Sequence, residues 1–259
     1  MGESDNQGQP FFSLIVPAYN EEENIRRGVL KEITDSLVSH RYPSELIVVD
    51  DGSKDATASL VEEYVSAYPF VMLVRNEHGG KAQAVRAGVM RARGKHVIFM
   101  DMDLSTTVTS IDACLEELAR GYQVVIASRY TRGALREGEP LLRRVAGRVF
   151  SLIVRTLVLP DISDSQCGFK GFRREVARDL FDQMRVFAQE GKQARGPRVT
   201  AFDVELLLLA RKRGYAIKEI PVAWRHVETR RVHLLPESLG MLWEVLQVYF
   251  SNLRGRYNH

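Results

Sequence analysis

The stretch His96-Val97-Ile98-Phe99-Met100-Asp101-Met102-Asp103-Leu104 decides the fold. Its apolar run, residues 97–100, predicts a strand that is buried on both faces. Asp101 and Asp103 follow at once, and side chains two residues apart in an extended chain point the same way. Two interpretations stay open. The pair binds a divalent cation that is shared with substrate phosphates, or it is a polar turn that ends a core strand.

Strands and helices alternate on the amino-terminal side of this stretch. Apolar runs at 13–16, 46–49 and 70–74 are each followed by a helical segment. Asn20, which precedes three glutamates, is predicted to cap the first helix. The βαβαβαβ order predicts a mostly parallel sheet flanked by helices, which is a Rossmann-like α/β fold.

The glycine-rich segment Gly79-Gly80-Lys81 precedes a predicted helix, as phosphate-binding loops do. It lacks the first glycine and the Ser or Thr of a P-loop, and no GxGxxG follows the first strand, so NTPase and dehydrogenase functions are excluded. Carboxylates end the second and fourth strands, at Asp51 and Asp101. This layout favours a nucleotide that is held through its ribose and base, with a metal ion on its diphosphate.

The composition is that of a soluble globular protein, with 259 residues of which 45% are hydrophobic. The 36 basic residues nearly balance the 33 acidic ones, so no nucleic-acid partner is indicated. Two cysteines without CxxC spacing favour a reducing cytoplasm. No apolar run is long enough to span a bilayer, so any membrane contact is expected to be peripheral, at the inner face of the membrane.

Arginines are concentrated between residues 129 and 155, and the segment 141–157 has helical periodicity. Its apolar side chains fall on one side of a helical wheel and its arginines on the other. Such a helix can lie at a membrane surface or present arginine to phosphate. The alternative is an ordinary surface helix whose apolar side packs on the sheet. The apolar side is Leu141, Leu142, Val145, Val149, Leu152, Ile153 and Leu157, and the basic side is Arg143, Arg144, Arg148 and Arg155.

The last predicted helix, residues 237–253, has two apolar stripes. One stripe belongs in the core, and the smaller one is expected to be covered by lipid or by a second copy of the chain. The larger stripe is Leu239, Leu242, Trp243, Leu246, Phe250 and Leu253, and the smaller one is Met241, Val245 and Val248.

Residues 161–170 are predicted to be a polar loop, and a further helix is predicted at about 202–213. That helix carries Asp203 and Glu205 in its first turn, where the helix dipole favours acidic side chains.

Six short motifs follow one another along the chain. They are Val-Pro-Ala-Tyr-Asn-Glu (16–21), Val-Asp-Asp-Gly-Ser (49–53), Asp-Met-Asp (101–103), Ser-Arg-Tyr (128–130), Asp-Ser-Gln-Cys-Gly-Phe-Lys (164–170) and Phe-Asp-Val-Glu (202–205). In this order they resemble the family 2 glycosyltransferases of GT-A fold, and most of all the dolichyl-phosphate (polyprenyl-phosphate) glucosyl- and mannosyltransferases. The motifs at 164–170 and 202–205, with Pro-Val-Ala-Trp at 221–224, look more like the glucosyl branch.

The resemblance implies a set of site residues. Asp101 and Asp103 would bind the metal, Mg²⁺ or Mn²⁺, and the catalytic set would be Asp103, Arg129 and Asp203. Arg129, Lys170 and Arg231 would meet phosphates of the donor or acceptor. The full substrate-binding set is Pro17, Tyr19, Glu21, Val49, Asp51, Lys81, Asp101, Met102, Asp103, Arg129, Arg143, Lys170 and Arg231.

The activity that the resemblance implies is inverting transfer of a hexose, glucose from UDP-glucose, to a polyprenyl or dolichyl phosphate. The alternatives are a mannosyltransferase that uses GDP-mannose, a glycosyltransferase with a hydroxyl acceptor and Asp203 or Asp164 as its base, and a nucleotide-sugar-binding regulator without turnover. The expected organisation is a disordered tail at 1–12, a GT-A domain at 13–235 and a C-terminal amphipathic helix at 236–259. The expected partners are the donor, the lipid acceptor, a membrane surface and a second copy in a homodimer.

Overall fold

A computed structural model of the chain describes residues 9–187, 200–227 and 234–258. Strands and helices alternate within these ranges. The strands are β1 (Phe12–Ala18), β2 (Ser44–Asp50), β3 (Val71–Arg75), β4 (His96–Phe99), β5 (Val124–Ser128), β6 (Leu135–Glu137), β7 (Lys170–Arg173), β8 (Ile217–Pro221) and β9 (Ala223–Arg225). The helices are α1 (Glu22–Arg26), α2 (Val29–Val38), α3 (Thr57–Ala67), α4 (Lys81–Arg91), α5 (Ser110–Ala119), α6 (Leu141–Leu157), α7 (Arg174–Gln183), α8 (Phe202–Lys212) and α9 (Leu234–Leu253).

Seven strands form the central sheet, in the order β3-β2-β1-β4-β7-β5-β8. All neighbouring strands are parallel except β7, which runs antiparallel to both β4 and β5. The predicted α/β fold with a mostly parallel sheet is therefore confirmed. The strands β6 and β9 pair separately as a short parallel ribbon.

The antiparallel strand β7 was not predicted, because Lys170-Gly171-Phe172-Arg173 has no apolar run. Lys170, expected at the end of a polar loop, is instead the first residue of this strand. Gly171 has to be a glycine, since a Cβ there would lie 2.1 Å from the Cys114 Sγ atom of α5. The sheet therefore packs against α5 with the Cys114 side chain directly on the backbone of β7 at this point.

Apolar layers cover both faces of the sheet. Ile15, Ile47 and Phe99 point to one face, towards a core cluster that α4, α7 and α8 share. Leu14, Leu46 and Ile98 point to the other face, where α2 and α5 pack. All four residues of β4 are buried, as the sequence predicted.

The structure corrects two details at the start of the chain. β1 begins at Phe12, whose side chain is fully buried, one residue earlier than the expected start of the domain. Asn20 does not cap α1, because its backbone has a positive φ of 53° and Glu21 takes the cap position. The Asn20 Oδ1 atom instead accepts a hydrogen bond from the Lys54 backbone N–H at 2.7 Å.

Helix α6 has the predicted bounds but the opposite orientation. Its apolar side faces outward, and Val154 is its one buried residue. The side towards the protein is held by polar contacts, among them the Ser151 hydroxyl, which donates to the Ser163 carbonyl oxygen at 2.6 Å. The expectation that an ordinary surface helix packs its apolar side on the sheet is therefore wrong for this helix. The exposed apolar side chains are Leu141, Leu142, Val145, Val149 and Leu152, each at least half exposed.

Helix α9 also reverses the expected assignment of its stripes. Val245 and Val248, from the smaller stripe, are fully buried in the core cluster shared with α8. The larger stripe is the open one, with Leu239, Trp243, Phe250 and Leu253 exposed. Among the described helices, none combines the length and the hydropathy needed to cross a bilayer.

Candidate active site

The carboxyl ends of β2 and β4 lie at one edge of the sheet, because both strands pair in parallel with β1. The acidic residues that follow these strands are therefore neighbours. The Asp101 Oδ1 atom lies 2.5 Å from the Lys81 Nζ atom at the start of α4. The Asp103 Oδ1 atom accepts a hydrogen bond from the Ser105 backbone N–H at 2.9 Å, which fixes the second carboxylate.

Electrostatics make this pair a site for positive charge. Burial and the neighbouring charge of Asp101 raise the pKa of Asp103 above its usual value. Burial would lower the pKa of Lys81, but the carboxylates of Asp101, Asp203 and Asp103 outweigh it and raise that pKa. Two neighbouring carboxylates that are partly removed from water are stabilised by a cation that enters between them.

The Asp101 carboxylate lies against Gly168, a residue of the 164–170 motif, and it can lie there because Gly168 has no side chain. A Cβ on Gly168 would lie 1.9 Å from the Asp101 Oδ2 atom. The loop of residues 164–170 therefore closes over the aspartate pair only because position 168 has no side chain. This contact explains why two motifs far apart in the sequence belong to one site.

The residues present fit a hard divalent cation. Asp101 and Asp103 supply anionic oxygen donors, which Mg²⁺ and Mn²⁺ prefer. The described part of the chain holds no group of three or more His, Cys, Asp or Glu side chains at metal-binding spacing. An ion held by two carboxylates takes its remaining ligands from water and from the phosphates of a substrate.

Asp51 has a different position from the one expected of a pocket-lining residue. Its carboxylate is buried and accepts hydrogen bonds from the backbone N–H groups of Gly79 at 2.9 Å and Gly80 at 2.8 Å. It also lies 2.8 Å from the His78 Nδ1 atom. Asp51 therefore holds the glycine segment that leads into α4, and its place in the nucleotide pocket stays a prediction.

The other residues expected at the nucleotide lie along the same edge. Tyr19 stacks on His78, with ring centroids 4.0 Å apart. Pro17 and Val49 are partners across β1 and β2. The side chains of Val49 and Met102 are buried in the core, so only their backbone atoms can face a ligand. Glu21 accepts a hydrogen bond from the Asn24 side chain at 2.5 Å.

Arg129 is bound tightly to Asp164. Its Nε atom lies 2.7 Å from Oδ2 and its Nη2 atom 2.9 Å from Oδ1, and both side chains are largely buried. The Trp224 ring centroid lies 5.3 Å from the guanidinium carbon. The fork expected to bind a phosphate therefore pairs with Asp164 in this structure, and its contact with phosphate stays a prediction. Despite burial, Arg129 lowers the pKa of Asp164, so this carboxylate is a poor general base.

Lys170 and Asp203 form a second buried ion pair, with 2.6 Å between Lys170 Nζ and Asp203 Oδ1. The lysine is fully buried and also donates to the Cys167 carbonyl oxygen at 2.7 Å. In this structure the partner of the Lys170 ammonium group is Asp203, and the expected contact with a substrate phosphate stays a prediction. Asp203 is not just a first-turn acid, since it neutralises a buried ammonium group.

Two anchoring carboxylates were missed in the sequence. Glu205 was interpreted as a first-turn acid, but its buried side chain accepts hydrogen bonds from the backbone of residues 185–187 and from the Tyr257 hydroxyl. Glu139 forms ion pairs with Arg136 and Arg144 and so fixes the start of α6. No local pattern indicates the contacts of Glu205, because its partners lie 18 or more residues away.

The remaining predicted site residues are arginines. Arg143 lies on α6 and is partly exposed. Arg231 lies outside the described residues, so its predicted contact with phosphate stays a prediction.

The sequence profile described as Glycosyl transferase family 2 matches residues 13–181. The chain belongs to this family and is a glycosyltransferase. Among its relatives are the dolichyl-phosphate beta-glucosyltransferases of Dictyostelium discoideum and Homo sapiens. The first is 31% identical over 258 residues, which is 95% of this chain and 76% of the relative. The second is 32% identical over 264 residues, again 95% of this chain and 76% of the relative.

Solved structures show the same fold at lower identity. Glucosyl-3-phosphoglycerate synthase from Mycobacterium tuberculosis, in complex with Mn²⁺, UDP and its product, has a TM-score of 0.60 at 20% identity, covering 96% of this chain and 80% of that chain. The mannosyltransferase PcManGT from Pyrobaculum calidifontis, in complex with GDP-Man and Mn²⁺, has a TM-score of 0.58 at 20% identity. The match covers 96% of this chain and 65% of that mannosyltransferase. The fold is therefore the GT-A fold, as the resemblance implied.

Proposed function

We propose that this glycosyltransferase moves glucose from UDP-glucose to a polyprenyl or dolichyl phosphate, with inversion at the anomeric carbon. The observation that carries the proposal is the pair Asp101 and Asp103 at the carboxyl end of β4, with a cation, the Lys81 ammonium, already at Asp101. The names of the relatives support the sugar and the lipid acceptor.

The ion pairs that Asp164 and Asp203 form favour a phosphate acceptor over a hydroxyl acceptor. A hydroxyl needs a general base, and the two candidates, Asp164 and Asp203, are tied to Arg129 and Lys170 in buried ion pairs. A phosphate monoester has a second pKa of about 6, so at neutral pH it attacks as a dianion without giving up a proton. This chemistry needs positive charge near the acceptor, and it does not need a free carboxylate as a general base.

The reaction is a single displacement. An oxygen atom of the acceptor phosphate forms a bond to the anomeric carbon while the bond from that carbon to the UDP oxygen breaks, and UDP leaves with the electron pair. Asp101 and Asp103 would hold a Mg²⁺ or Mn²⁺ ion, which would supply positive charge to the departing diphosphate. Gly168 of the 164–170 loop lies directly against the Asp101 carboxylate, so a side chain at position 168 would displace it.

A donor assay tests the sugar assignment. The protein is incubated with a short polyprenyl phosphate, Mn²⁺ and either UDP-glucose, GDP-mannose or UDP-N-acetylglucosamine, and lipid-linked sugar is measured. We expect product from UDP-glucose at a rate at least about tenfold above the other donors. Product from GDP-mannose alone would establish the mannosyltransferase alternative, and donor binding without any turnover would favour the regulator.

We also propose that α6 and α9 attach the protein to the cytoplasmic face of an anionic membrane. The two helices pack on each other, and both leave apolar side chains open to solvent. Arginines lie exposed on α6 and just after α9, so apolar insertion and attraction to anionic lipid act together. The burial of Val245 and Val248 supports α9 as part of the catalytic domain's core. The exposed arginines are Arg148, Arg155, Arg254 and Arg256.

Vesicle sedimentation tests this attachment. We expect the protein to bind vesicles that contain phosphatidylserine, with binding that weakens as salt rises. Leu152→Glu and Trp243→Glu should each reduce binding, whereas Val38→Glu, at an exposed apolar residue on α2, should not. Absence of vesicle binding at low ionic strength would overturn the proposal. A stable homodimer in sedimentation velocity would then indicate that a second copy of the chain covers the exposed apolar side chains of α6 and α9.

A further inference from the structure

Lys81 occupies a position that the proposed reaction leaves unexplained. Its ammonium group lies 2.5 Å from Asp101 Oδ1, in the place where the proposed cation site lies. We infer that Lys81 is the internal counter-cation of the aspartate pair and that it is displaced from Asp101 when the divalent cation binds. This inference rests on the metal site of the proposed function.

The backbone before Lys81 is fixed, and its side chain is not enclosed. Gly79 and Gly80 donate their N–H groups to the buried Asp51 carboxylate, which anchors the first residue of α4 to strand β2. The Lys81 side chain itself is 29% exposed and that of Asp101 is 32% exposed. A long, flexible side chain on a fixed base can leave the carboxylate while the rest of the site stays in place.

A comparison of the two lysines of the site shows why Lys81 is the one that moves. Three carboxylates, Asp101, Asp103 and Asp203, act on Lys81, but Asp203 already has Lys170 as its partner. Lys170 is fully buried and bound to a carbonyl oxygen, so it has no path to solvent. An arriving divalent cation therefore competes with Lys81 alone for the pair Asp101 and Asp103.

The exchange links metal binding to donor binding. Without a substrate, each metal ion that binds has to break the ion pair between Lys81 and Asp101, which weakens binding. With a nucleotide diphosphate present, the released ammonium group has a new anionic partner close to the start of α4. The metal and the nucleotide then bind more tightly together than either does alone.

Titration with Mn²⁺ alone, followed by calorimetry or by the EPR signal of free Mn²⁺, tests the inference. Lys81→Met should bind Mn²⁺ about tenfold more tightly than the wild type in the absence of nucleotide, which corresponds to about 1.4 kcal/mol. Lys81→Arg, which keeps the charge, should bind with wild-type affinity or more weakly. The matched control is Lys31→Met on α2, which removes an exposed ion pair of the same 2.5 Å length with Asp35 and should leave affinity unchanged.

Adding UDP separates the possible failures. UDP should tighten Mn²⁺ binding more in the wild type than in Lys81→Met, because only the wild type gains a partner for the released ammonium. If Lys81→Met binds Mn²⁺ no more tightly than the wild type while Asp103→Asn abolishes binding, the counter-cation role is overturned and the metal site stands. If the wild type binds no Mn²⁺ with or without UDP, the metal site and the counter-cation role both fall.

Discussion

Asp103 is the side chain on which the proposed activity depends most directly. Asp103→Asn keeps the size of the side chain and its contact with Ser105 but removes half of the charge that would hold the metal. We expect turnover to fall by at least about a hundredfold and Mn²⁺ binding to be lost. The melting temperature should stay within about 2 °C, because the preceding strand is held by buried apolar residues. A large drop in melting temperature would indicate that the acid is a structural turn residue.

Arg129 shows how a residue of the site can act through its neighbour. Arg129→Met leaves Asp164 buried without its partner, which should cost about 3–5 kcal/mol in the free energy of unfolding at pH 7. In the wild type Arg129 holds the pKa of Asp164 below its usual value, whereas in the variant burial without that partner raises the pKa, so the variant's Asp164 takes up a proton as pH falls and its unpaired charge is lost. Urea unfolding should therefore show a smaller difference between variant and wild type at pH 4 than at pH 7. An equal difference at both pH values would contradict this account.

The sequence predicted that Asp101, Asp103 and Arg129 share one region, because motifs at strand ends converge at one edge of a parallel sheet. It could not show that Asp164 would occupy the Arg129 fork or that Lys170 would be enclosed with Asp203. Those pairings depend on loop contacts between residues far apart in the chain, and no local pattern records them.

The antiparallel strand β7 brings the 164–170 loop to Asp101 and Asp103. Gly171→Ala should destabilise the protein by about 1–3 kcal/mol, because the new Cβ would meet Cys114 Sγ at 2.1 Å. Combining it with Cys114→Ala removes the collision and should recover most of the loss in urea unfolding. Additive losses in the double variant would contradict the packing described here.

The regular elements were predicted well where the pattern was strong. The bounds of α6 and the buried β4 agree with the sequence, since apolar periodicity identifies a helix or a strand directly. The same pattern did not reveal which side of α6 faces the protein. Periodicity identifies an apolar side but not what covers it, and here the Arg144 side is bound by Glu139 while the leucines stay exposed.

The described chain as a whole combines a pair of carboxylates, Asp101 and Asp103, at the edge of the sheet with an exposed apolar surface on α6 and α9. These two features together suit an enzyme whose donor is dissolved and whose acceptor carries a long lipid. The fold and the family could be inferred from six ordered motifs. Which apolar side chains of α6 and α9 stay exposed could not be inferred, because that depends on how two helices far apart in the sequence pack on each other.

We propose that the acceptor is a phosphate dianion, which needs no general base. A comparison of two acceptors that differ only in this phosphate tests the proposal directly. UDP-glucose and Mn²⁺ are offered with a polyprenyl phosphate and, in a parallel reaction, with the polyprenol of the same chain length, and the glucosylated lipids are measured. The account predicts β-linked glucose on the phosphate and a rate on the alcohol at least about a hundredfold lower. Glucosylation of the alcohol at a comparable rate, or product on neither lipid, would contradict it.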